Sequence, residues 1–264
     1  MEWIIGVIAS FVVAGAAYKK KSLSRSGLLA ATVVGTVLYA LGSLAWFGTL
    51  IAFFVSSSFL TKWRQSQKQQ AESHYEKTGR RDAGQVFANG GIGMLLCIAN
   101  YVQPHELWWA AYLGVMATVT ADTWATEIGG ASKQKPRSIL SGKRVPPGTS
   151  GGVTFAGLMA SVLGSLFIAL MAWLFTQTSP SYLMLLLPLC LISGFTGALV
   201  DSLLGATCQV MYRCQKCERE VEARVHCEQA AIHVRGCKYL NNDAVNLFSS
   251  LTGGSVAVIV AVLV

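Results

Sequence analysis

LWWAAYLGVMATVTADTWATEIGG, residues 107–130, decides how this chain is read. Its first half is apolar enough for the interior of a bilayer. Its second half carries Asp122 and Glu127. Charge is costly in hydrocarbon, so intramembrane acids face a protein interior or a water-filled cavity. On a helix, positions five apart are separated by about 140°. Asp122 and Glu127 therefore do not share one narrow face. Either they flank a cavity, or the helix breaks at Gly129-Gly130 and the acids follow its unwinding. Thr126 falls on the face of Asp122, and Thr123 on the face of Glu127.

The rest of the chain fits a membrane reading. Of 264 residues, 53% are hydrophobic and 13% are charged, against about 25% charged in a soluble domain. The apolar residues are gathered into long runs. The spacing predicts an all-α, polytopic transmembrane bundle of about eight helices, each near the ~17–25 residues that cross a bilayer. The expected spans are 2–18, 26–41, 43–60, 84–102, 107–127, 151–176, 182–208 and 244–264. The N-terminal basic cluster follows its apolar stretch, whereas a signal peptide has it before. That segment is expected to stay as a helix.

All 21 lysines and arginines fall in four segments: 19–25, 62–81, 133–144 and 213–238. With eight helices these segments share one side. The positive-inside rule places them in the cytoplasm and both termini outside, in the cell membrane. The net charge of +8 thus reflects loop topology, not nucleic-acid binding. The chain reads as a single membrane domain with cytoplasmic loops at about 61–83 and 128–150 and a Cys-rich loop at 209–243. The opposite connections are tiny, and no repeat suggests a transporter built from inverted halves.

Five acids sit in or at the cytoplasmic ends of the spans: Asp82, Asp122, Glu127, Asp201 and Asp243. Helix capping suffices for Asp82 and Asp243. It does not explain Asp122 and Asp201, which lie inside apolar runs. Around them are RRDAGQVFANGG (80–91), where Gln85 and Asn89 align on one face, and NNDAVN (241–246), where Asp243 and Asn246 do. The loop SKQKPRSILSGKRVPPGTSGGVTFAG (132–157) adds five basic residues. Gly148, Gly151 and Gly152 let a backbone approach a ligand closely. Thr149 and Ser150 are expected to cap a helix beginning near Gly151, whose N-terminus would attract an anion. No Walker A spacing is present.

Carboxylates are hard ligands that suit Mg²⁺, usually alongside substrate phosphates. Phosphoryl transfer needs mainly positioning and charge stabilisation. At a lipid–water boundary, these groups suggest one substrate with a lipid tail and a phosphate, and a second that is a soluble nucleotide. Asp122, Glu127, Asp201 and Asp243 are the expected Mg²⁺ ligands and catalytic residues. Asp82, Asn89, Lys133, Arg137, Gly148, Thr149, Gly151, Gly152, Asn242 and Asn246 are the expected substrate and nucleotide-phosphate group.

The Cys-rich loop contains Cys214-x2-Cys217, half of a zinc knuckle. Its second half is irregular: Cys227 combines with His226, His233 or Cys237. Cys214, Cys217, His226 and Cys227 are the preferred set. The other reading is a reduced loop with incidental thiols. Disulfides are disfavoured in the cytoplasm. Cys97, Cys190 and Cys208 read as small core residues, and His74 and His105 carry no expected role.

DTWATEIG, KPRSI, VPPGTSGGVT, the Asp201 segment and NNDAVN together resemble the DUF92 family of integral membrane proteins, over nearly the whole chain. That family includes the transmembrane protein 19 group and the plant and cyanobacterial phytyl-phosphate kinases. The resemblance implies CTP- or ATP-dependent phosphorylation of an isoprenoid monophosphate to its diphosphate. It carries the acidic motif positions onto Asp122, Glu127, Asp201 and Asp243. The phosphate-loop positions fall on Lys133, Arg137, Gly148, Gly151 and Gly152. PPGTSGG and NND are also similar to motifs of dolichol kinases and CDP-diacylglycerol synthases. A cytidylyltransferase, a prenol kinase, an ion-coupled transporter and a non-enzymatic scaffold are the alternatives.

Overall fold

Long apolar runs with short polar joints fold as helices α1 (Glu2–Lys19), α2 (Arg25–Val37), α3 (Leu44–Lys62), α4 (Gln65–Glu72), α5 (Ala83–Val102), α6 (Glu106–Ala131), α7 (Phe155–Thr176), α8 (Pro180–Thr207) and α9 (Asn242–Leu263). The computed structural model describes residues 1–77 and 79–263, apart from the side chains of Gln69 and Gln70. Among the described residues, seven helices are long and apolar enough to cross a membrane: all the long ones but α6. A π-turn at Leu38–Gly42 extends α2, and Ser43 caps α3 through its bond from the Ala45 N–H.

The exception, α6, is the axle. Every residue from Ala110 to Ala121 is buried, so it is covered on all sides by protein. It packs against α3, α5, α7, α8 and α9. Small residues let the helices approach this closely. A Cβ on Gly197 of α8 or on Gly253 of α9 would overlap Thr118. Toward the α6 N-terminus, the Trp109 and Tyr112 rings stack with Trp46 tilted against both, and the Tyr112 hydroxyl donates to the Trp46 carbonyl at 2.5 Å. Large apolar side chains such as Phe11, Leu95, Leu163 and Ile259 face outward, where lipid would cover them.

Two boundaries differ from expectation. α6 does not break at Gly129-Gly130 but runs to Ala131. A Cβ on Gly129 would lie 3.4 Å from Gly157 Cα of α7, so close helix crossing outweighs glycine's weak helix propensity. α7 starts at Phe155, not near Gly151. Gly148 and Gly151 have φ of +84° and +78°, outside the helical region. Between them and the helix, β2 (Gly152–Val153) pairs antiparallel with β1 (Arg137–Ser138). Thr154 is the cap, accepting from the Gly157 N–H at 3.0 Å. Thr149 donates to the Pro146 carbonyl instead.

The Cys-rich segment is more ordered than expected. It forms β3 (Met211–Arg213), β4 (Glu220–Val221), β5 (Val225–His226), β6 (Gln229–Ala230) and β7 (Ile232–Arg235). Strands β4, β3 and β7 make one sheet, and β5 and β6 a hairpin.

The basic segments meet at one end of the bundle. Arg81 exchanges backbone bonds with Ser22 and Ser24, and Lys62 donates to the Lys20 carbonyl. The Glu222 N–H donates to the His74 carbonyl at 2.9 Å. Ser150 Oγ lies 3.0 Å from Gln209 Oε1.

Candidate functional site

Two adjoining cavities open at this basic end. The smaller, about 240 Å³, is lined by all four acids Asp122, Glu127, Asp201 and Asp243. Asp122 and Glu127 thus flank a cavity from an unbroken helix. Asn89, Asn242, Asn246, Gly148, Thr149, Gly151 and Gly152 line it as well. The larger, about 690 Å³, shares Asp122, Thr126 and the 148–149 wall and adds Lys133, Lys135 and Arg144.

The acids differ in their partners. Both oxygens of Glu127 are engaged: Oε1 accepts from Thr61 at 2.6 Å and Oε2 from Lys68 at 2.5 Å. Lys68 is 2% exposed and also donates to the carbonyls of Leu60 and Thr61. Asp243 Oδ2 pairs with Lys77 at 2.5 Å, while its Oδ1 is buried with no hydrogen-bond partner. Asp201 Oδ2 accepts from Ser249 at 3.0 Å. Asp122 has no ion-pair partner among the described residues. The four carboxylates share the cavity but do not form one tight cluster. Among the described residues, only Cys214, Cys217, His226 and Cys227 bring three or more ligand atoms within 4.8 Å of one another.

Two expected site residues lie elsewhere. Asp82 caps α5, accepting from the Gln85 N–H at 2.9 Å while the Gln85 side chain returns to its N–H. It also pairs with Lys77 at 3.1 Å. Burial opposes its ionisation, but the Gln85 and Lys77 hydrogen bonds hold it below the usual carboxylate range. Arg137 is exposed and donates to the Gly142 carbonyl within its own turn. Asn241 caps α9 where Asp243 was expected to, accepting from the Ala244 N–H at 3.1 Å.

The structure adds residues that sequence reasoning passed over. Lys68, Tyr75, Lys77, Arg81, Gln209 and Glu222 all line the smaller cavity. Arg81 NH1 is buried without a hydrogen-bond partner, and its guanidinium lies 5.7 Å from the Phe53 and Phe54 ring centres. Burial opposes the charge on Lys77, yet hydrogen bonds to Asp243 and Asp82 leave it above the usual lysine range. Burial, then the charge of Glu222, pushes the Tyr75 hydroxyl up, so it stays a donor at neutral pH. Burial lifts Glu222 to about 7, against the hydrogen bond from Gln209. One signal was available: acids inside a membrane require counter-charges, and the 62–81 segment is rich in them.

An all-protein sheath around one acid-bearing helix, with a polar cavity at its basic end, defines a polytopic helical membrane protein with a site at one face. The chain belongs to a known family of this class. The family described as "Integral membrane protein DUF92" matches residues 8–254. Among curated relatives, Protein PGR of Arabidopsis thaliana is 32% identical over 94% of this chain and 92% of its own length. Protein VTE6, chloroplastic, of the same plant is 27% identical over 90% of this chain and 65% of its own. An uncharacterised membrane protein of Methanocaldococcus jannaschii is 27% identical over 92% and 87%. No solved structure matches the chain.

Proposed function

We propose that this protein is a membrane-embedded phosphotransferase that uses CTP or ATP to convert an isoprenoid monophosphate to its diphosphate. One observation carries the reading. In a single cavity, a carboxylate oxygen (Asp243 Oδ1) and a guanidinium nitrogen (Arg81 NH1) are both buried without partners. Buried polar groups are normally satisfied. A ligand bringing both a cation and an anion, a metal-bound phosphate, would satisfy each. The DUF92 resemblance, through its phytyl-phosphate kinases, supports the same chemistry.

The donor set fits Mg²⁺, which takes one or two carboxylates and completes its shell with phosphate and water. Asp122, Asp201 and Asp243 Oδ1 would supply those one or two carboxylates. When bound, the ion would neutralise charge on the transferring phosphoryl group. Glu127, with both oxygens occupied, would instead keep Lys68 in place. Arg81 and Lys133 would bind phosphate oxygens, and Asn89, Asn242, Asn246 and Tyr75 would donate hydrogen bonds. An oxygen of the acceptor monophosphate attacks the γ-phosphorus. The bond to the β–γ bridging oxygen breaks, and the nucleoside diphosphate leaves with its electron pair. The acceptor is already ionised, so no general base is required.

An apolar groove of about 620 Å³ between α3 and α7 would take the tail. Its Ser56 and Phe167 both touch Trp124, two residues from Asp122: the indole N–H lies 3.3 Å from Ser56 Oγ, and the rings are 5.1 Å apart. The basic end would face the cytoplasm of a cell-membrane protein, with both termini outside.

The test is direct. Purified protein is incubated with phytyl, geranylgeranyl or undecaprenyl monophosphate, CTP or ATP, and Mg²⁺, and the lipids are weighed by mass spectrometry. A diphosphate that disappears with EDTA is expected. A nucleotide-linked lipid would make the protein a cytidylyltransferase. A product only from the free prenol would make it a prenol kinase. No product from folded protein would remove the enzyme reading and move attention to flux across sealed vesicles.

A further inference from the structure

The loop between α8 and α9 has its own small problem of stability. Its apolar cluster is small, Val210, Tyr212 and Val221 with Ala231 packed against them, beside the buried Met211. Domains with so little core usually need a disulfide or a metal. All the cysteines are free thiols.

The loop's two tightest turns converge. In the first, the Cys214 N–H donates to the Arg219 carbonyl at 3.0 Å and the Glu218 N–H to the Cys214 carbonyl at 2.9 Å. This folds Cys214 and Cys217 onto one side of the turn, with Glu218 at φ 58°. In the second, the β5–β6 hairpin closes through Cys227 and Glu228, both left-handed at φ 53° and 63°. A two-residue turn with both φ positive strongly prefers Asn-Gly or Asp-Gly. Cys-Glu there is strained, and strain of this kind persists where surrounding interactions over-determine it.

Where the turns meet, the three sulfurs and a His226 nitrogen all lie within 4.8 Å of one another. His226 Nδ1 is 3.5 Å from Cys217 Sγ and 3.3 Å from Cys227 Sγ. A tetrahedral zinc with the usual Zn–S and Zn–N lengths separates its ligand atoms by roughly 3.3–3.8 Å. We propose that Cys214, Cys217, His226 through Nδ1, and Cys227 bind one structural Zn²⁺ ion that fastens the 208–241 loop over the cavity. Three thiolates and an imidazole suit zinc, and four protein ligands leave no open position for chemistry. Three thiolates on Zn²⁺ leave a formal charge of about −1. Lys216 and Arg219, in and beside the first turn, offset it.

The fastened loop is a wall of the site. Gln209 Nε2 donates to Glu222 Oε1 at 2.8 Å, and both residues line the smaller cavity. Arg235 anchors the far side, donating to the carbonyls of Gly205 and Ala206 at the end of α8. A cation at a helix C-terminus is favourable. The metal site itself stands independently of the kinase reading.

The experiment is metal content of the full-length protein, purified in detergent under reducing conditions with Zn²⁺ supplied and excess removed. About one zinc per chain is expected. Cys217→Ser and Cys227→Ser should lose it, and Cys237→Ser should keep it. Should the Ser variants fail to fold, Co²⁺ exchanged into the native protein should give the intense sulfur-to-cobalt absorption of a tetrahedral thiolate site. Limited proteolysis gives a second readout: chelation should open 208–241 to cleavage while the helices stay intact. Zinc absent from the reduced native protein, zinc retained by both Cys217→Ser and Cys227→Ser, or a native disulfide joining two of the three thiols would overturn the proposal.

Discussion

Lys77 and Asp243 meet at 2.5 Å, tying the segment before α5 to the first turn of α9. The pair explains the glycine in RRDAG, because a Cβ on Gly84 would lie 2.8 Å from Asp243 Oδ2. It also divides Asp243 in two: one oxygen holds the loop, the other is left over. Lys77→Met strands a half-buried carboxylate and should cost about 1–3 kcal/mol. Asp243→Asn should cost less stability but should abolish phosphotransfer. Thermal unfolding in detergent and product mass spectrometry would separate the effects. Equal activity losses at unchanged stability in both variants would refute this division of labour.

Asp122 and Asp201 face the cavity from two different helices, and neither holds a lysine or arginine among the described residues. Replacing either carboxylate by an amide removes charge without breaking an ion pair. Asp122→Asn and Asp201→Asn are therefore expected to fold with unchanged or higher unfolding temperature. Each should lose at least about 100-fold in turnover, the scale of removing one transition-state electrostatic contact. Full activity in either folded variant would remove the catalytic core of the proposal.

Most of the helices were legible because a bilayer imposes one rule: long apolar runs must be helical. The axle role of α6 was less so, since protein and lipid are equally apolar neighbours. What singles it out is its acids. The acids were legible because charge is rare at such depth. Their partners were not: Lys68 sits in QSQKQQ, which reads as a solvated loop, yet is 2% exposed. Burial of that lysine follows from Glu127 across the bundle, a contact that local spacing does not encode. The start of α7 was misplaced for a related reason. SGGVT can cap a helix locally, but Gly148 and Gly151 pack against Ala71 and Ser202 from other elements, and those contacts fix their left-handed backbone.

Lys68 and Glu127 make a sharper test of stability. The ammonium side chain is 3% exposed and pairs with the Glu127 carboxylate. Breaking a buried pair by removing one partner costs about 3–5 kcal/mol. Glu127→Gln should fall at the lower end, since the amide still bonds Thr61 and Lys68 keeps its two carbonyls. Lys68→Met should do worse. The double variant, Glu127→Gln with Lys68→Met, should recover part of the loss. Strict additivity of the two unfolding shifts would show that the pair is not coupled.

Glu222 gives the pH dependence. Its ordinary value is 4.5, and burial lifts it to about 7. The folded protein therefore keeps a proton that the unfolded chain releases between those values. Stability from this group is fully present below about pH 4.5, declines as pH rises to about 7, and stays low above that. Glu222→Gln mimics the protonated form. Its unfolding midpoint should exceed the native one by a few degrees at about pH 8, since roughly 1 kcal/mol moves a chain of this size by about 2–4 °C. The two proteins should converge near pH 4.5. A gap that does not change with pH would mean that Glu222 ionises normally.

The α3–α7 groove carries the last expectation. Its Ser56 and Phe167 hold Trp124, which follows Asp122 by two residues on α6. If a prenyl tail lies there, filling the groove should hurt binding in proportion to tail length and leave the chemical step alone. Ala52→Trp places a large ring on its wall. KM for a long prenyl monophosphate should rise by about tenfold, equivalent to about 1.4 kcal/mol. A short, water-soluble prenyl monophosphate should keep its KM and kcat. A uniform fall in kcat for both would instead indicate that the ring disturbs Trp124 and, through it, the placement of Asp122. No change for either substrate would mean that the tail takes another path through the bundle.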